Sequence, residues 1–180
     1  MAATETAGRG PGEVTLDPAD WDEVRRLGHR MVDDMVAHIR GAAEGPVWRE
    51  IPAEVRARFE APLPLEPAGA ASAYEEFRAS ILPYGLGNLH PRFWGWVIGS
   101  GTVTGALAEL LTAAMNANAA GFASSAILVE EQVLRWFAAL MGMPASTSGL
   151  LVTGASEANF VGIAAGLRAR LGPAYRQGGV

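Results

Sequence analysis

Residues 149–170 read Gly149-Leu-Leu-Val-Thr-Gly-Ala-Ser-Glu-Ala-Asn-Phe-Val-Gly-Ile-Ala-Ala-Gly-Leu-Arg-Ala-Arg170. Leu150, Leu151 and Val152 form a short apolar run of buried-strand type, residues 153–156 are a tight turn of small side chains, and an alanine-rich helical pattern follows. Strand, small turn and helix in that order are an α/β unit, and they also build an anion site. The first amides of a helix lack an intrahelical acceptor, the helix dipole places partial positive charge there, and small side chains admit a phosphate to the backbone. A phosphorylated ligand is therefore the first expectation. The same turn can instead serve only for turning and capping, with Ser156 or Thr153 as N-cap, and the rest of the chain has to decide.

The 180 residues suffice for one domain with a sizeable core or for part of a larger one. With 49% hydrophobic and 18% charged residues, the chain is globular in character. Its formal charge of -5 and scattered arginines give no basic stripe, so no nucleic acid is expected as a partner. There is no cysteine, which excludes disulfides and thiolate chemistry and is compatible with a reducing compartment. The N-terminus lacks an apolar core of signal-peptide type, and a cytoplasmic location is the default. Residues 101–129 are weakly polar, but Glu109, Asn116 and Asn118 interrupt them, whereas a spanning helix needs about 20 predominantly apolar residues. A packed soluble core is expected there, with no membrane partner. All 14 basic residues are arginine, so chemistry that needs an amine side chain cannot be completed by this polypeptide alone.

Along the chain, residues 1–16 read as a disordered leader of Gly, Ala, Thr and Glu. Asp17-Pro18-Ala19-Asp20 is a helix start in which Asp17 can cap and Pro18 suits the first turn. From there Trp21, Val24, Leu27, Met31, Met35 and Ile39 make one apolar stripe as far as Gly41. His29 and His38 flank it without further ligands at metal spacing, and no metal site is expected. A short helix follows Ile51-Pro52, a stiff proline-rich connector spans residues 61–67, and Ser72-Ala-Tyr-Glu75 reads as a capping box for the next helix. Residues 88–101 crowd Phe93, Trp94 and Trp96 among turn formers, a composition that can line a pocket for a flat ligand or simply fill a core. Two apolar helices are predicted over residues 102–118 and 125–141, the second with Ile127, Leu128, Val133, Leu134, Trp136, Phe137 and Leu140 inward and Gly142 and Pro144 as its stop. Gly99-Ser-Gly101-Thr-Val-Thr-Gly105 mimics a dinucleotide-binding turn. Its spacing is one residue off, and no carboxylate follows at the distance such a loop needs for a ribose.

Three stretches in order resemble the pyridoxal-phosphate-dependent group II decarboxylases, the aromatic-L-amino-acid and glutamate decarboxylase superfamily. Asn88-Leu-His-Pro-Arg-Phe-Trp-Gly is similar to the family's His-Pro-x-Phe turn. Glu130-Glu-Gln-Val-Leu-Arg-Trp-Phe is similar to its helix with acidic residues before a tryptophan, and Gly149-Leu-Leu-Val-Thr-Gly-Ala-Ser-Glu-Ala-Asn to its Gly-Gly-Ser-Glu-Ala-Asn. The resemblance implies an α/β, fold-type I transferase-like architecture, mainly helical in the portion present. Residues 17–100 would be an N-terminal helical dimerisation segment, and residues 101–180 the start of the large cofactor-binding domain. It also implies that Gly154, Ala155 and Ser156 hold the phosphate of pyridoxal 5'-phosphate, and that Trp96 and Gly99 lie near the substrate entrance.

The departures from the family pattern shape the functional expectation. Ala155 replaces the commoner second glycine, a tolerable change. Ser124-Ser-Ala-Ile-Leu-Val129 stands where the family has a Pro-Ala-x-Thr-Glu type run, so an active-site contact is expected to be lost. Family members continue into a region that holds the ring-stacking histidine, the aspartate that pairs with the ring nitrogen and the Schiff-base lysine. The expectation is an N-terminal fragment of an amino-acid decarboxylase, a carboxy-lyase of carboxylic acid metabolism, incompetent alone and with no catalytic residue of its own. It would pair as a homodimer or with a complementing C-terminal polypeptide. The alternative is a non-catalytic helical interaction protein derived from that scaffold.

Overall fold

The computed structural model describes residues 15, 17–118 and 124–172. The leader predicted over residues 1–16 lies, Thr15 apart, outside the described residues. By its contacts the chain divides into two compact units, Met1–Ala108 and Glu109–Val180.

The first unit opens with α1 (Trp21–Arg40). Its N-cap is Asp20 and not Asp17: Asp20 has extended backbone, and its carboxylate accepts from the amides of Asp22 (2.8 Å) and Glu23 (3.1 Å). Those two backbone bonds, helped by Arg26, hold the Asp20 carboxyl below its ordinary value. Asp17 is engaged one turn earlier, where Thr15 Oγ1 donates to its carboxylate at 3.0 Å. Two acids flank Pro18, and the one followed directly by helical backbone takes the cap. Along the apolar stripe Leu27, Met31, Met35 and Ile39 are half-buried, whereas Trp21 and Val24 are exposed.

Helix α2 (Ala53–Arg58) starts behind Pro52 and buries Val55. The connector carries no regular structure and leaves Leu63 and Leu65 exposed. Helix α3 (Ala70–Glu76) begins at Gly69 with no side-chain cap, which places Ser72 inside the helix and removes the predicted capping box. Gly69 has φ +80, a conformation glycine adopts without strain, so the chain can turn there directly. The helix then widens into a π turn, Phe77–Ile81, closed by the Leu82 amide on the Phe77 carbonyl, and tightens into the 3-10 turn Leu82–Tyr84. Pro83 supplies the reason: it has no amide to donate, and its ring crowds the preceding turn.

Tyr74 pins α3 to α1. Its hydroxyl donates to Asp34 at 2.7 Å, Arg78 meets the same carboxylate at 3.3 Å, and Arg30 lies over the Tyr74 ring at 5.1 Å while pairing with Glu75. Burial, then the bond to Asp34, raises the Tyr74 phenol above its ordinary value. Val55 and Tyr74 are the buried hydrophobic side chains among the described residues. The apolar core is small, and polar pins share the task of fixing the helices.

Helix α4 (Val103–Met115) starts where Thr102 Oγ1 accepts from the Gly105 amide at 3.0 Å, and the division between the units falls within it. In the second unit α5 (Ser125–Leu140) ends as its sequence predicts. Gly142 has φ +67, its amide reaches the Ala139 carbonyl at 3.1 Å, and the Met143 amide reaches that of Ala138 at 2.8 Å, which together form a Schellman motif. The predicted inward face of α5 is covered only in part: Ile127, Val133 and Leu134 are half-buried, whereas Leu128, Trp136, Phe137 and Leu140 are exposed. Residues 150–152 form no strand, because a ladder needs a neighbour and none is present among the described residues. The unit closes with α6 (Ala155–Leu171). The portion present is helical, as expected for this part of the architecture.

Candidate functional site

Position 154 sets the turn before α6. Its φ of 102° and ψ of 161° fall in a region open essentially to glycine alone, and Gly154 serves as the N-cap with no side-chain hydrogen bond. Neither Thr153 nor Ser156 takes that role. The Gly154 amide donates to the Val152 carbonyl at 3.0 Å, so glycine contributes the backbone shape and not a free donor. The first intrahelical bond runs from the Ala158 amide to the Gly154 carbonyl at 3.2 Å. The amides of Ala155, Ser156 and Glu157 precede it and point out of the helix end.

Two glutamates fix the approach to this turn. Glu157 reaches back to accept from the Thr153 amide at 3.1 Å and from the Thr153 hydroxyl at 2.8 Å. Glu130, on α5, accepts from the Leu151 amide at 3.0 Å. Leu134 lies against the same arm, its Cδ2 3.3 Å from the place a Cβ would take on Gly149. Neither contact is part of the motif pattern of this stretch. For Glu157 a signal existed, since an acid in the first helical turn commonly folds back on the capping segment. For Glu130, twenty-one residues from its partner, only the fold could show it.

The turn fits a phosphate group. A Cβ at Gly154 would meet nothing within 4 Å, so the mouth is open, and α6 is long enough for its dipole to count. The basic side chains of α6, Arg168 and Arg170, stand in its last turn, so the amides at the other end carry the attraction.

Trp96 and Gly99 belong to the first unit, and residues 154–156 to the second. Trp96 is exposed and holds φ 63°, an uncommon conformation for a bulky residue and a strained one. It borders a hollow of about 350 Å³ together with Trp94, Ile98 and Ser100. Gly99 does not line that hollow, and its carbonyl accepts from Asn88 Nδ2 at 3.1 Å. His90 anchors the base of this loop. It is buried, and its Nδ1 accepts from the Arg92 amide at 2.9 Å.

An open helix end after a glycine turn, carried on this succession of helices, is the architecture of a known class. The TDC of Oryza sativa, solved with PLP and tryptamine, superposes with a TM-score of 0.72 at 22% identity, over 89% of this chain and 36% of that one. That likeness establishes the fold. In sequence, tryptophan decarboxylase 2 of Oryza sativa subsp. japonica is 28% identical over 88% of this chain and 34% of its own length. The aromatic-L-amino-acid decarboxylase of Bacillus atrophaeus is 24% identical over 83% of this chain and 32% of its own. No family model matches. The chain is thus related to the N-terminal part of the group II decarboxylases, and it spans about a third of the length of these relatives.

Proposed function

We propose that this chain forms the N-terminal part of a pyridoxal-phosphate-dependent carboxy-lyase acting on an amino acid, and that the start of α6 holds the cofactor phosphate. The observation that carries the reading is the set of outward amides at Ala155 and Ser156 behind the Gly154 turn. When bound, pyridoxal phosphate supplies the electron sink for loss of carbon dioxide. The residues of this chain bind and orient. Ala155 and Ser156 offer backbone donors, with the Ser156 hydroxyl beside them, while Gly154 sets the direction of the helix end. Glu130 and Glu157 hold the arm that presents the turn.

The 180 residues contain no lysine, so in this reading the reactive amine comes from polypeptide outside them. Trp96 and Gly99 would stand near the substrate entrance, as their positions in the His-Pro-x-Phe region suggest. Residues 17–100 would form the helical dimerisation segment and residues 101–180 the start of the cofactor domain. The partner is a second copy or a complementing C-terminal polypeptide, and a cytoplasmic setting belongs to the same proposal. No helix among the described residues is long and apolar enough to cross a membrane.

The test uses pyridoxine 5'-phosphate, which keeps the phosphate and lacks the reactive aldehyde. Titrated into the chain by calorimetry alongside pyridoxine, it should bind at least about tenfold more tightly than pyridoxine, the difference of roughly one charge-assisted contact. Gly154→Val should abolish that preference. Equal binding of the two compounds would overturn the phosphate assignment.

A further inference from the structure

In the first unit the loop of residues 88–99 has a fixed base and an uncovered tip. At the base, Gly87 at φ +87 lies so close to residue 47 that a Cβ on it would be 1.8 Å from the Val47 carbonyl oxygen, and the His90 amide donates to the Gly87 carbonyl at 2.9 Å. Asn88 Nδ2 joins the two ends of the loop through the Gly99 carbonyl at 3.1 Å. At the tip Trp94, Trp96 and Val97 stand in solvent, and Trp96 keeps its left-handed φ of 63°.

His90 connects the base to the tip. Its carbonyl accepts from the Phe93 amide at 2.9 Å, its Nδ1 accepts from the Arg92 amide at 2.9 Å, and the residue is only 5% exposed. A ring nitrogen accepts only while it carries no proton, so the ring that holds Arg92 is neutral, with its hydrogen on Nε2. That Nε2 is buried and has no partner among the described residues. A proton on Nδ1 would set donor against donor at the Arg92 amide and place a charge on a ring enclosed by protein. The surrounding charges oppose it too. His38 from the end of α1 and Arg49 from the turn after it line the adjoining hollow, Arg92 follows on the loop itself, and residues 82–89 bring no charged side chain. No carboxylate lines either hollow that His90 borders.

We propose that His90 is a proton-operated latch: neutral, it holds the aromatic segment 93–98 to its base, and protonated, it releases it. The closed loop binds one proton fewer than the open one, so it is favoured at higher pH and lost as the pH falls through the histidine range. Opening also relieves the backbone of Trp96. The latch lies in the first unit and does not rest on the phosphate assignment, which concerns the second.

The experiment follows amide exchange and the histidine rings of the 180-residue chain together by NMR, from about pH 8 to about pH 5, which stays above the carboxylate range. Protection of the Arg92 and Phe93 amides, corrected for the intrinsic exchange rate, should fall by up to about tenfold per pH unit, the limit for uptake of one proton, in step with protonation of the His90 ring. His29→Gln and His38→Gln identify the other two rings and should leave that fall in place. In His90→Asn the side-chain oxygen takes the place of Nδ1 as acceptor and does not titrate, so protection of the Arg92 amide should become independent of pH. Constant protection in the parent chain, a protonated His90 ring with the Arg92 amide still protected, or the same fall in His90→Asn would each overturn the proposal. The first two outcomes are read on the parent chain and decide the matter even where the asparagine variant fails to fold.

Discussion

At position 87 an alanine would place its Cβ 1.8 Å from the Val47 oxygen and 2.9 Å from the carbonyl carbon, both backbone atoms that cannot swing away. At position 154 the same methyl group would meet open space, and only the backbone angle resists it. The two glycines therefore fail differently. Gly87→Ala should cost well over the roughly 1 kcal/mol of an incompatible φ alone, and urea denaturation followed by tryptophan fluorescence would show the loss. Gly154→Ala should stay near that roughly 1 kcal/mol while redirecting the start of α6. Asp20 gives a pH-dependent case. Its folded carboxyl sits below the ordinary value of 3.8, so its contribution is present above that value and is lost as the pH falls through the lowered one. Asp20→Asn keeps an acceptor for the Asp22 and Glu23 amides and removes the charge. Helix content measured by circular dichroism in acid should therefore fall less steeply in this variant than in the parent chain.

Among the elements, the long helices were readable because their stripes and stops are local. α1, α4 and α5 fall within a few residues of the positions that periodicity predicts, and the Gly142 stop was visible as a glycine before Pro144. The caps were less readable. The sequence offers Asp17 and Ser72 as caps, and Ser156 or Thr153 as a cap in the alternative to a phosphate role, whereas the chain uses Asp20, Gly69 and Gly154. In the last two cases backbone angles open to glycine decide the start, and side-chain capping propensity does not report them. The π turn was unreadable for a related reason, since it answers a conflict between a continuing helix and Pro83. At this scale the Tyr74 pin is the feature to probe. Tyr74→Phe removes the bond to Asp34, leaves Arg78 on that carboxylate and should cost about 1.5 kcal/mol, the low end for a bond to a charged group. Because the folded phenol lies above its ordinary 10.0, its contribution is present below that value and is lost as the pH rises through the raised one. The stability of the first unit should therefore fall less steeply above pH 10 in the phenylalanine variant than in the parent chain.

For the whole molecule, relatedness to the decarboxylases was legible from three short motifs. The positioning carboxylate Glu130 was not, because its partner is distant in sequence. The small buried core was not legible either: an apolar stripe shows that a helix wants cover, and not whether this chain provides it. Leu107, Leu111, Trp136, Phe137 and Phe160 are exposed. In the proposed dimer the α1 stripe is part of the cover, so Met31→Glu should shift sedimentation velocity profiles from dimer towards monomer. An unchanged profile would remove α1 from the interface.

The arm at residues 150–152 has a consequence beyond the turn it supports. Its Leu151 amide is held by a carboxylate, and a carboxylate can be displaced by a backbone carbonyl of any passing extended chain. Leu150 and Leu151 are exposed beside it, so the arm offers both the ladder and the grease for strand addition. A chain of this charge should repel its own kind, yet its colloidal behaviour should be governed by this short edge. Light scattering should rise steeply with concentration and fall when Leu151 is replaced by proline, which has no amide to give.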